Sequence, residues 1–176
     1  MSYAQKAVLI VGKPGAGKSY FFKNEILPKL NKVLIFDQYG YEYPEATLTD
    51  GKKDTGESML RFSGDFWELV NFSGRFPNRA IIIEDATNFL QGAIHDEPLR
   101  KMFAARRHYN QQLYFLFHTL SSIPPFIYSM SDYVVLFKTK DFKERVKNRF
   151  QDEELFRAFE NIKKSRNEHE RKIVKI

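Results

Sequence analysis

The sequence contains no cysteine and only one tryptophan among its 176 residues. Without cysteine, disulfide bonds and thiolate metal sites are both excluded. No apolar run approaches the ~18 residues of a membrane-spanning helix. The opening residues MSYAQKAVLI also lack the long apolar segment of a signal peptide. We therefore expect a cytoplasmic protein without a membrane span.

Charge is distributed unevenly along the sequence. Residues 138–176 carry 13 Lys and Arg against 8 Asp and Glu, whereas residues 1–137 carry 15 against 14. The net charge of +6 therefore lies mainly in the C-terminal part. A basic surface of this kind favours a nucleic acid partner. A solvated helical surface followed by a loose tail explains the same excess.

Five short apolar runs predict the strands of one sheet. They are AVLIV (7–11), VLIFD (33–37), AIIIE (80–84), LYFLF (113–117) and YVVLF (133–137). None alternates cleanly with polar residues, so both faces of each strand are expected to be buried, as in a parallel sheet. MLRF (59–62) could form a further short strand. The fold class predicted is α/β, with a mostly parallel five-strand sheet flanked by helices.

Helical spacing and start signals predict helices at 17–27, 65–72, 98–110, 141–149 and 152–164. The chain then divides into a core (1–140), C-terminal helices packed on that core (141–165) and a basic, mobile tail (166–176). Residues 38–58 are polar and contain Gly and Tyr, which is typical of a long functional loop.

A phosphate-binding loop follows the first predicted strand. Residues 12–19 match G-x-x-x-x-G-K-[ST], between a buried strand and a helix, as the motif requires. Backbone N–H groups and the helix N-terminus would hold the phosphates of ATP. Lys18 supplies a mobile charge and Ser19 a hydroxyl for Mg²⁺. The predicted nucleotide-binding residues are Gly12, Pro14, Gly15, Ala16, Gly17, Lys18, Ser19 and Tyr20.

An acidic pair ends the third predicted strand, in RAIIIEDATNFL. Beside a phosphate loop, Glu84 and Asp85 form a Walker B pattern. One carboxylate would hold the hydration shell of Mg²⁺, and the other would orient the attacking water. A small-molecule kinase needs no carboxylate to activate water, so the pair favours hydrolysis over phosphoryl transfer.

The fourth predicted strand ends in His118 and Thr119. In ATP hydrolases of this architecture, that strand lies between the phosphate-loop strand and the acidic strand. His118 is therefore a candidate for contacting the γ-phosphate or the lytic water. A histidine that caps a strand or a neighbouring helix is the alternative.

Two arginines lie on the helix that begins at Pro98. At 100° per residue, Arg106 falls between Met102 and Phe103 on the apolar face, and Arg107 falls at the edge of that face. Either could act as an arginine finger on a neighbouring subunit. The alternative is an internal ion pair for one of them and solvent for the other.

Candidate DNA contacts are dispersed along the chain. Tyr39, Tyr41 and Tyr43 alternate in a polar loop and could touch a nucleic acid or a subunit neighbour. The basic candidates are Lys52, Lys53, Lys163, Lys164 and Arg166. Solvated surface is the alternative for each of them.

Taken together, these motifs resemble the FtsK–HerA superfamily of DNA-pumping ATPases, and within it the compact genome-packaging ATPases of viruses and phages. GKPGAGKSY is similar to the phosphate loop of that family and of the zonula occludens toxin family. VLIFDQYGYEYPE and RRHYNQQLYFLFHTLSSIPPFIYSMSDYVVLF are similar to further family segments. The resemblance implies a RecA-like fold, a homo-oligomeric ring, double-stranded DNA as substrate and a capsid or portal partner.

The sequence departs from this family at three points. The acidic order is Glu84 then Asp85, where the family has Asp then Glu; by position Glu84 is the metal-side acid and Asp85 the catalytic one. The polar tip is His118, where the family often has Gln. The Arg-His pair of the family falls on Arg107 and His108, although the helical wheel favours Arg106.

Four functions follow as hypotheses. The leading one is an ATP-hydrolysing DNA translocase that packages a viral genome, in the host cytoplasm or the virion. The alternatives are a phage assembly ATPase of the zonula occludens toxin type, a small-molecule or nucleoside kinase, and a non-catalytic assembly or anchoring protein that binds ATP.

Overall fold

The computed structural model describes residues 5–90 and 96–176. Residues 1–4 and 91–95 of the predicted core therefore lie outside the described residues. Within the described residues, eight strands form one sheet in the order β3-β4-β2-β5-β6-β1-β7-β8. The strands are β1 (Ala7–Val11), β2 (Val33–Phe36), β3 (Thr47–Leu48), β4 (Met59–Phe62), β5 (Ala80–Ile83), β6 (Gln112–Phe117), β7 (Tyr133–Leu136) and β8 (Lys172–Lys175).

The sheet is parallel except at one edge, where β8 pairs antiparallel with β7. The predicted mostly parallel α/β sheet is confirmed, and the five predicted strands form within one residue of their expected bounds. The further strand suggested at 59–62 forms as β4. The sheet is wider than predicted because β3 and β8, which were not predicted, extend it at its two edges.

The C-terminal residues differ from the prediction of a mobile basic tail. Residues 172–175 form β8, and Val174 is buried in the core. The sequence KIVK offers only one buried side chain, so its apolar pattern is too short to predict a strand. Pairing with the edge of β7 supplies the backbone hydrogen bonds that hold the segment.

Helices cover both faces of the sheet. They are α1 (Lys18–Phe21), α2 (Phe66–Phe72), α3 (Ala86–Leu90), α4 (Asp96–Ala105), α5 (Pro125–Met130), α6 (Lys143–Phe150) and α7 (Glu153–Lys164). A π-helical turn (Phe22–Ile26) and a 3₁₀ turn (Leu27–Lys29) continue α1, so this region is helical over the predicted range and slightly beyond it. By contrast, α4 ends at Ala105, five residues before its predicted end.

The core has two parts, one on each face of the sheet. In β1, Leu9 and Val11 contribute to one face, and Val8 and Ile10 to the other. This alternation follows from strand geometry, in which successive side chains point to opposite faces. Both faces of the central strands are buried. The polar residues that follow β1, β5 and β6 therefore gather at the carboxyl ends of these parallel strands.

Candidate nucleotide-binding and catalytic site

The phosphate loop is fixed between the ends of β6 and β7. The Gly12 N–H donates to the Phe117 carbonyl at 3.0 Å, and the Lys13 N–H donates to the Lys138 carbonyl at 2.7 Å. A Cβ atom at Gly12 would lie 2.7 Å from the Cβ of Phe137, so only glycine fits there. Gly17 adopts a φ of +98°, a conformation that favours glycine. These contacts hold the loop in a defined shape.

Lys18 lies folded back over this loop. Its Nζ donates to the Gly12 carbonyl at 2.7 Å and to the Lys13 carbonyl at 3.3 Å. Burial lowers the pKa of Lys18, while the charges of Asp85 and Glu84 oppose that shift. The ammonium group thus lies between the phosphate loop and the two carboxylates, where it can reach an incoming phosphate.

His118 joins the acidic residues to the phosphate loop. Its Nε2 lies 3.1 Å from Asp85 Oδ1, and its Nδ1 lies 3.5 Å from Lys18 Nζ. The hydrogen bond from His118 holds the pKa of Asp85 below its ordinary value. Thr87 fixes the strand tip, since its hydroxyl accepts the His118 N–H at 2.9 Å. The structure therefore brings together three of the residues predicted to be catalytic.

Their meeting follows from the strand order. β6, which ends just before His118, lies between β1 and β5. Asp85 turns out of the end of β5 with a φ of +48°, in the left-handed region that Asp adopts more readily than most residues. The predicted position of the fourth strand, between the phosphate-loop strand and the acidic strand, is confirmed.

Glu84 has a different environment from its neighbour Asp85. It is only 7% exposed, and its Oε1 accepts a 2.6 Å hydrogen bond from the Tyr43 hydroxyl. The pKa of Glu84 is raised to about 7, mainly by burial; the Tyr43 hydrogen bond opposes the shift, and the charges of Glu42 and Asp85 contribute to it. A buried carboxylate with one neutral donor is electrostatically undersatisfied, which suits it to meet a cation.

Tyr43 is one of the site residues that sequence reasoning missed. It is fully buried, which corrects the hypothesis that it faces a nucleic acid. Asp37 folds the preceding loop inwards, because its carboxylate accepts the N–H groups of Gly40 and Glu42 at 3.0 Å each. The pattern D-x-x-G after a buried strand is the signal that could have predicted this turn.

Asp141 is a second missed residue. It is buried, and its carboxylate accepts the N–H groups of Leu120 at 2.7 Å and Ser121 at 3.0 Å. These bonds fix the chain immediately after the tip of β6. Asp141 therefore helps to hold His118 in place, although its position after β7 gave no sequence signal of that role.

The residues at the mouth of the loop fit Mg²⁺ and a nucleotide. Ser19 is half-buried, whereas Pro14 and Gly15 are exposed. The hydroxyl of Ser19 and the carboxylates of Glu84 and Asp85 are hard oxygen ligands, the type Mg²⁺ prefers. Over residues 5–90 and 96–176, no group of three or more His, Cys, Asp or Glu could hold a metal ion. Mg²⁺ commonly uses one or two carboxylates together with waters and phosphates, so this donor set is sufficient.

Arg106 and Arg107 lie at the other end of the strands, near the start of β1. Arg106 is 8% exposed; it donates to Asp132 at 3.2 Å and to the Phe103 carbonyl at 2.6 Å. Asp132 also accepts the N–H of Ala7, the first residue of β1. The phosphate loop leaves the other end of that strand, roughly 15 Å away at ~3.3 Å per residue. Arg106 therefore forms an internal ion pair, which was the alternative to an arginine finger, whereas Arg107 is exposed.

The candidate DNA contacts lie in two segments of the chain. Tyr39 and Tyr41 are 66% and 84% exposed, with their rings stacked at 6.3 Å between centroids. The basic candidates are also exposed, in the 38–58 loop and around the end of α7; they are Lys52, Lys53, Lys163, Lys164 and Arg166.

This combination of a parallel sheet, a phosphate loop after β1, and acidic and polar residues at the tips of β5 and β6 defines a RecA-like P-loop NTPase fold. No protein-family model matches the chain, and no curated protein matches it. None of the helices in the described part of the chain is long and apolar enough to span a membrane.

Solved structures share the fold. The genome packaging NTPase of Sulfolobus turreted icosahedral virus 2, in complex with ATP-gammaS, superposes with a TM-score of 0.82 at 20% identity, covering 100% of this chain and 94% of that one. The DNA-packaging ATPase of Sulfolobus turreted icosahedral virus has a TM-score of 0.74 at 19% identity, with 98% of each chain covered. The N-terminal domain of zonular occludens toxin from Neisseria meningitidis has a TM-score of 0.51 at 15% identity, with 77% of this chain and 78% of that one covered. The expected resemblance is confirmed at the level of the fold.

Proposed function

We propose that this chain is an Mg²⁺-dependent ATPase of the FtsK–HerA type that packages a viral genome. The observation that carries the proposal is the contact chain Asp85–His118–Lys18, which joins an acid at the end of β5 to the phosphate loop. A carboxylate and an imidazole placed beside a phosphate-binding lysine can orient water against a γ-phosphate. That arrangement suits hydrolysis and has no evident use in a simple binding protein.

Each residue at the carboxyl ends of the strands has a distinct role in the proposal. Ser19 and Glu84 would hold Mg²⁺, which supplies positive charge to the β- and γ-phosphates when it is bound. Lys18 neutralises the γ-phosphate, Asp85 accepts the proton of the attacking water, and His118 orients that water. The backbone N–H groups of the loop bind the remaining phosphate oxygens.

A neighbouring subunit would complete the site. Arg107 is exposed and lies near the amino ends of the strands, whereas its own phosphate loop lies at their carboxyl ends. It could therefore reach a γ-phosphate only in another copy of the chain. In a homo-oligomeric ring, an arginine of one subunit can enter the ATP site of its neighbour. Such an arginine finger stabilises the charge of the transition state and strongly raises the rate of hydrolysis. Arg106 is the weaker candidate, since its guanidinium is held by Asp132.

Support for double-stranded DNA as the substrate comes from two sources. The NTPases that superpose with TM-scores of 0.82 and 0.74 are a genome packaging and a DNA-packaging enzyme. The basic excess of residues 138–176 provides charge for phosphate contacts. A capsid or portal protein would be the further partner, and the host cytoplasm or the virion the place of action.

Steady-state ATP hydrolysis, measured with and without double-stranded DNA over a range of protein concentrations, tests the proposal. We expect activity per subunit to rise steeply with concentration, as subunits assemble, and to increase when DNA is added. Activity that is independent of concentration and requires a phosphoryl acceptor would indicate a kinase instead. Tight ATP binding with negligible turnover would indicate an assembly protein.

A further inference from the structure

Helix α6 and the residues just before it carry positive charge that the chain does not neutralise. Residues 140–149 contain five Lys and Arg against two Asp and Glu, and one of the two acids, Asp141, is buried. Lys143 pairs with Glu160 of α7. Neither Lys140 nor Arg145 has a salt bridge within the part of the chain that the structure describes, and both are exposed. Their charges are therefore available to an anion outside the chain.

The spacing of charges along α6 is unfavourable for the helix itself. Arg145 and Arg149 are four residues apart and both exposed, so they lie on the same face. Burial and the charge of Arg145 lower the pKa of Arg149, which shows that the two cations act on each other. In α7 the same spacing joins opposite charges, Glu153 and Arg157, at 3.0 Å. Like charges at this spacing destabilise a helix, so the pair in α6 is better explained by an anionic partner.

This basic segment is bonded to the chain that follows the catalytic strand tip. Asp141, near its start, accepts two backbone N–H groups of the turn at residues 120–123. Arg149, at the last turn of α6, donates to the Ile123 carbonyl of the same turn at 2.7 Å. The turn begins two residues after His118. A ligand held on this face of α6 therefore lies on a segment in direct contact with the turn that follows His118.

We propose that Lys140, Arg145 and Arg149, which we call the α6 basic surface, bind the phosphate backbone of double-stranded DNA. Cations spaced along one face neutralise successive phosphates. Phe142 beside them is 72% exposed, which would also suit an acidic protein. DNA is favoured because its interfaces are much more positively charged than those between proteins.

The inference rests on the proposed function, because it names where the DNA substrate of that ATPase is held. None of the candidate DNA contacts given above belongs to the α6 basic surface. Since this surface is bonded to the turn after His118, DNA bound there would be linked directly to the residue proposed to orient the attacking water. DNA stimulation of hydrolysis should therefore depend on this surface.

Titration of a fluorescently labelled duplex of random sequence, followed by anisotropy at several salt concentrations, tests the surface. The double variant Lys140→Ala with Arg145→Ala is compared with wild type and with Lys101→Ala with Arg157→Ala. Both double variants remove two cations from exposed positions, so their net charge is matched. We expect the first to bind roughly tenfold or more weakly and the control to match wild type.

The salt dependence gives a second readout. Each lost phosphate contact lowers the slope of log affinity against log salt by about 0.9, so the first double variant should lose about 1.8. The DNA concentration that half-maximally stimulates ATP hydrolysis should rise by the same factor as the dissociation constant. If that double variant does not fold, Arg145→Ala alone decides, with a slope smaller by about 0.9.

Three outcomes would overturn the α6 basic surface while leaving the proposed function in place. They are wild-type affinity and slope in the first double variant, an equal loss in the control, and an unchanged midpoint of DNA stimulation. Tighter binding of wild type to polyglutamate of equal charge than to the duplex would indicate an acidic protein partner instead. If wild type neither binds the duplex nor is stimulated by it, the proposed DNA substrate fails together with the surface.

Discussion

The hydroxyl of Tyr43 donates a 2.6 Å hydrogen bond to Glu84, and both side chains are buried. Tyr43 ends the loop that Asp37 folds, and the same loop exposes the stacked rings of Tyr39 and Tyr41. An exposed aromatic surface and the acid proposed to hold Mg²⁺ are therefore joined through one short loop. Any partner that moves this loop would change the environment of Glu84.

Tyr43→Phe removes this hydrogen bond while keeping the ring. We expect the free energy of unfolding at pH 8 to fall by roughly 1–3 kcal/mol, because a buried carboxylate loses its donor. Chemical denaturation of wild type, Tyr43→Phe and Tyr41→Phe provides the measurement. Tyr41 is 84% exposed, so Tyr41→Phe should match wild type. Equal stability of all three proteins would show that the bond has no energetic weight.

Glu84→Gln should stabilise the protein in buffer without Mg²⁺ or nucleotide, and the gain should depend on pH. The folded pKa of Glu84, about 7, lies above the ordinary carboxyl value of 4.5. Ionisation therefore costs folding free energy above pH 7, by about 3 kcal/mol. Below pH 4.5 both folded and unfolded states are protonated and the cost is absent.

Urea denaturation of Glu84→Gln and wild type at several pH values measures this dependence. The difference in unfolding free energy should be small near pH 4.5, grow between pH 4.5 and 7 and stay constant above. ATP hydrolysis by the same variant should fall strongly, since Gln cannot supply the negative charge for Mg²⁺. A difference that does not vary with pH would show that Glu84 does not titrate as described.

Arg106→Ala and Arg107→Ala should separate stability from catalysis. Arg106→Ala removes one charged partner of the half-buried Asp132, which keeps Lys6 at 3.5 Å and the Ala7 N–H. We expect a loss of about 1–3 kcal/mol, as for a charged hydrogen bond, and a lower melting temperature. Arg107→Ala should keep wild-type stability and ATP affinity but lose most hydrolysis, as expected for a residue acting on a neighbouring site. Lys101→Ala, on the exposed face of α4, is the matched control. Normal hydrolysis by Arg107→Ala would exclude it as a finger.

Asp85→Asn and variants of His118 test the contact chain at the strand tips. Proton transfer by a positioned group contributes about 10²–10⁴-fold in rate, so Asp85→Asn should bind ATP and hydrolyse it at least a hundredfold more slowly. His118→Ala should also lose turnover, whereas His118→Gln should keep part of it because an amide can still hydrogen-bond water. Single-turnover kinetics, with ATP affinity measured separately, distinguish a slower hydrolysis step from weaker ATP binding. Equal rates for the Ala and Gln variants would mean that His118 only caps the strand.

The central strands and the phosphate loop could be predicted because their signals are local. A run such as AIII carries its own burial pattern, and the loop motif has fixed spacing. Contacts made across the fold leave no such signal. Arg79, fully buried, donates to Asp54 at 2.8 Å across 25 residues, and this pair anchors the loop that we predicted only as functional. Arg171 reaches Glu25 across 146 residues in the same way.

Lys18 carries the central claim, so its replacement provides the most direct measurement. Mg²⁺-dependent ATP hydrolysis should be measured for wild type, Lys18→Ala and Lys29→Ala, each with and without double-stranded DNA. Lys29 is an exposed lysine at the end of the helical segment that Lys18 begins. We predict that wild type and Lys29→Ala hydrolyse ATP and are stimulated by DNA, while Lys18→Ala is inactive in both conditions. Equal, non-zero rates for wild type and Lys18→Ala would contradict the assignment of this loop as the ATPase site.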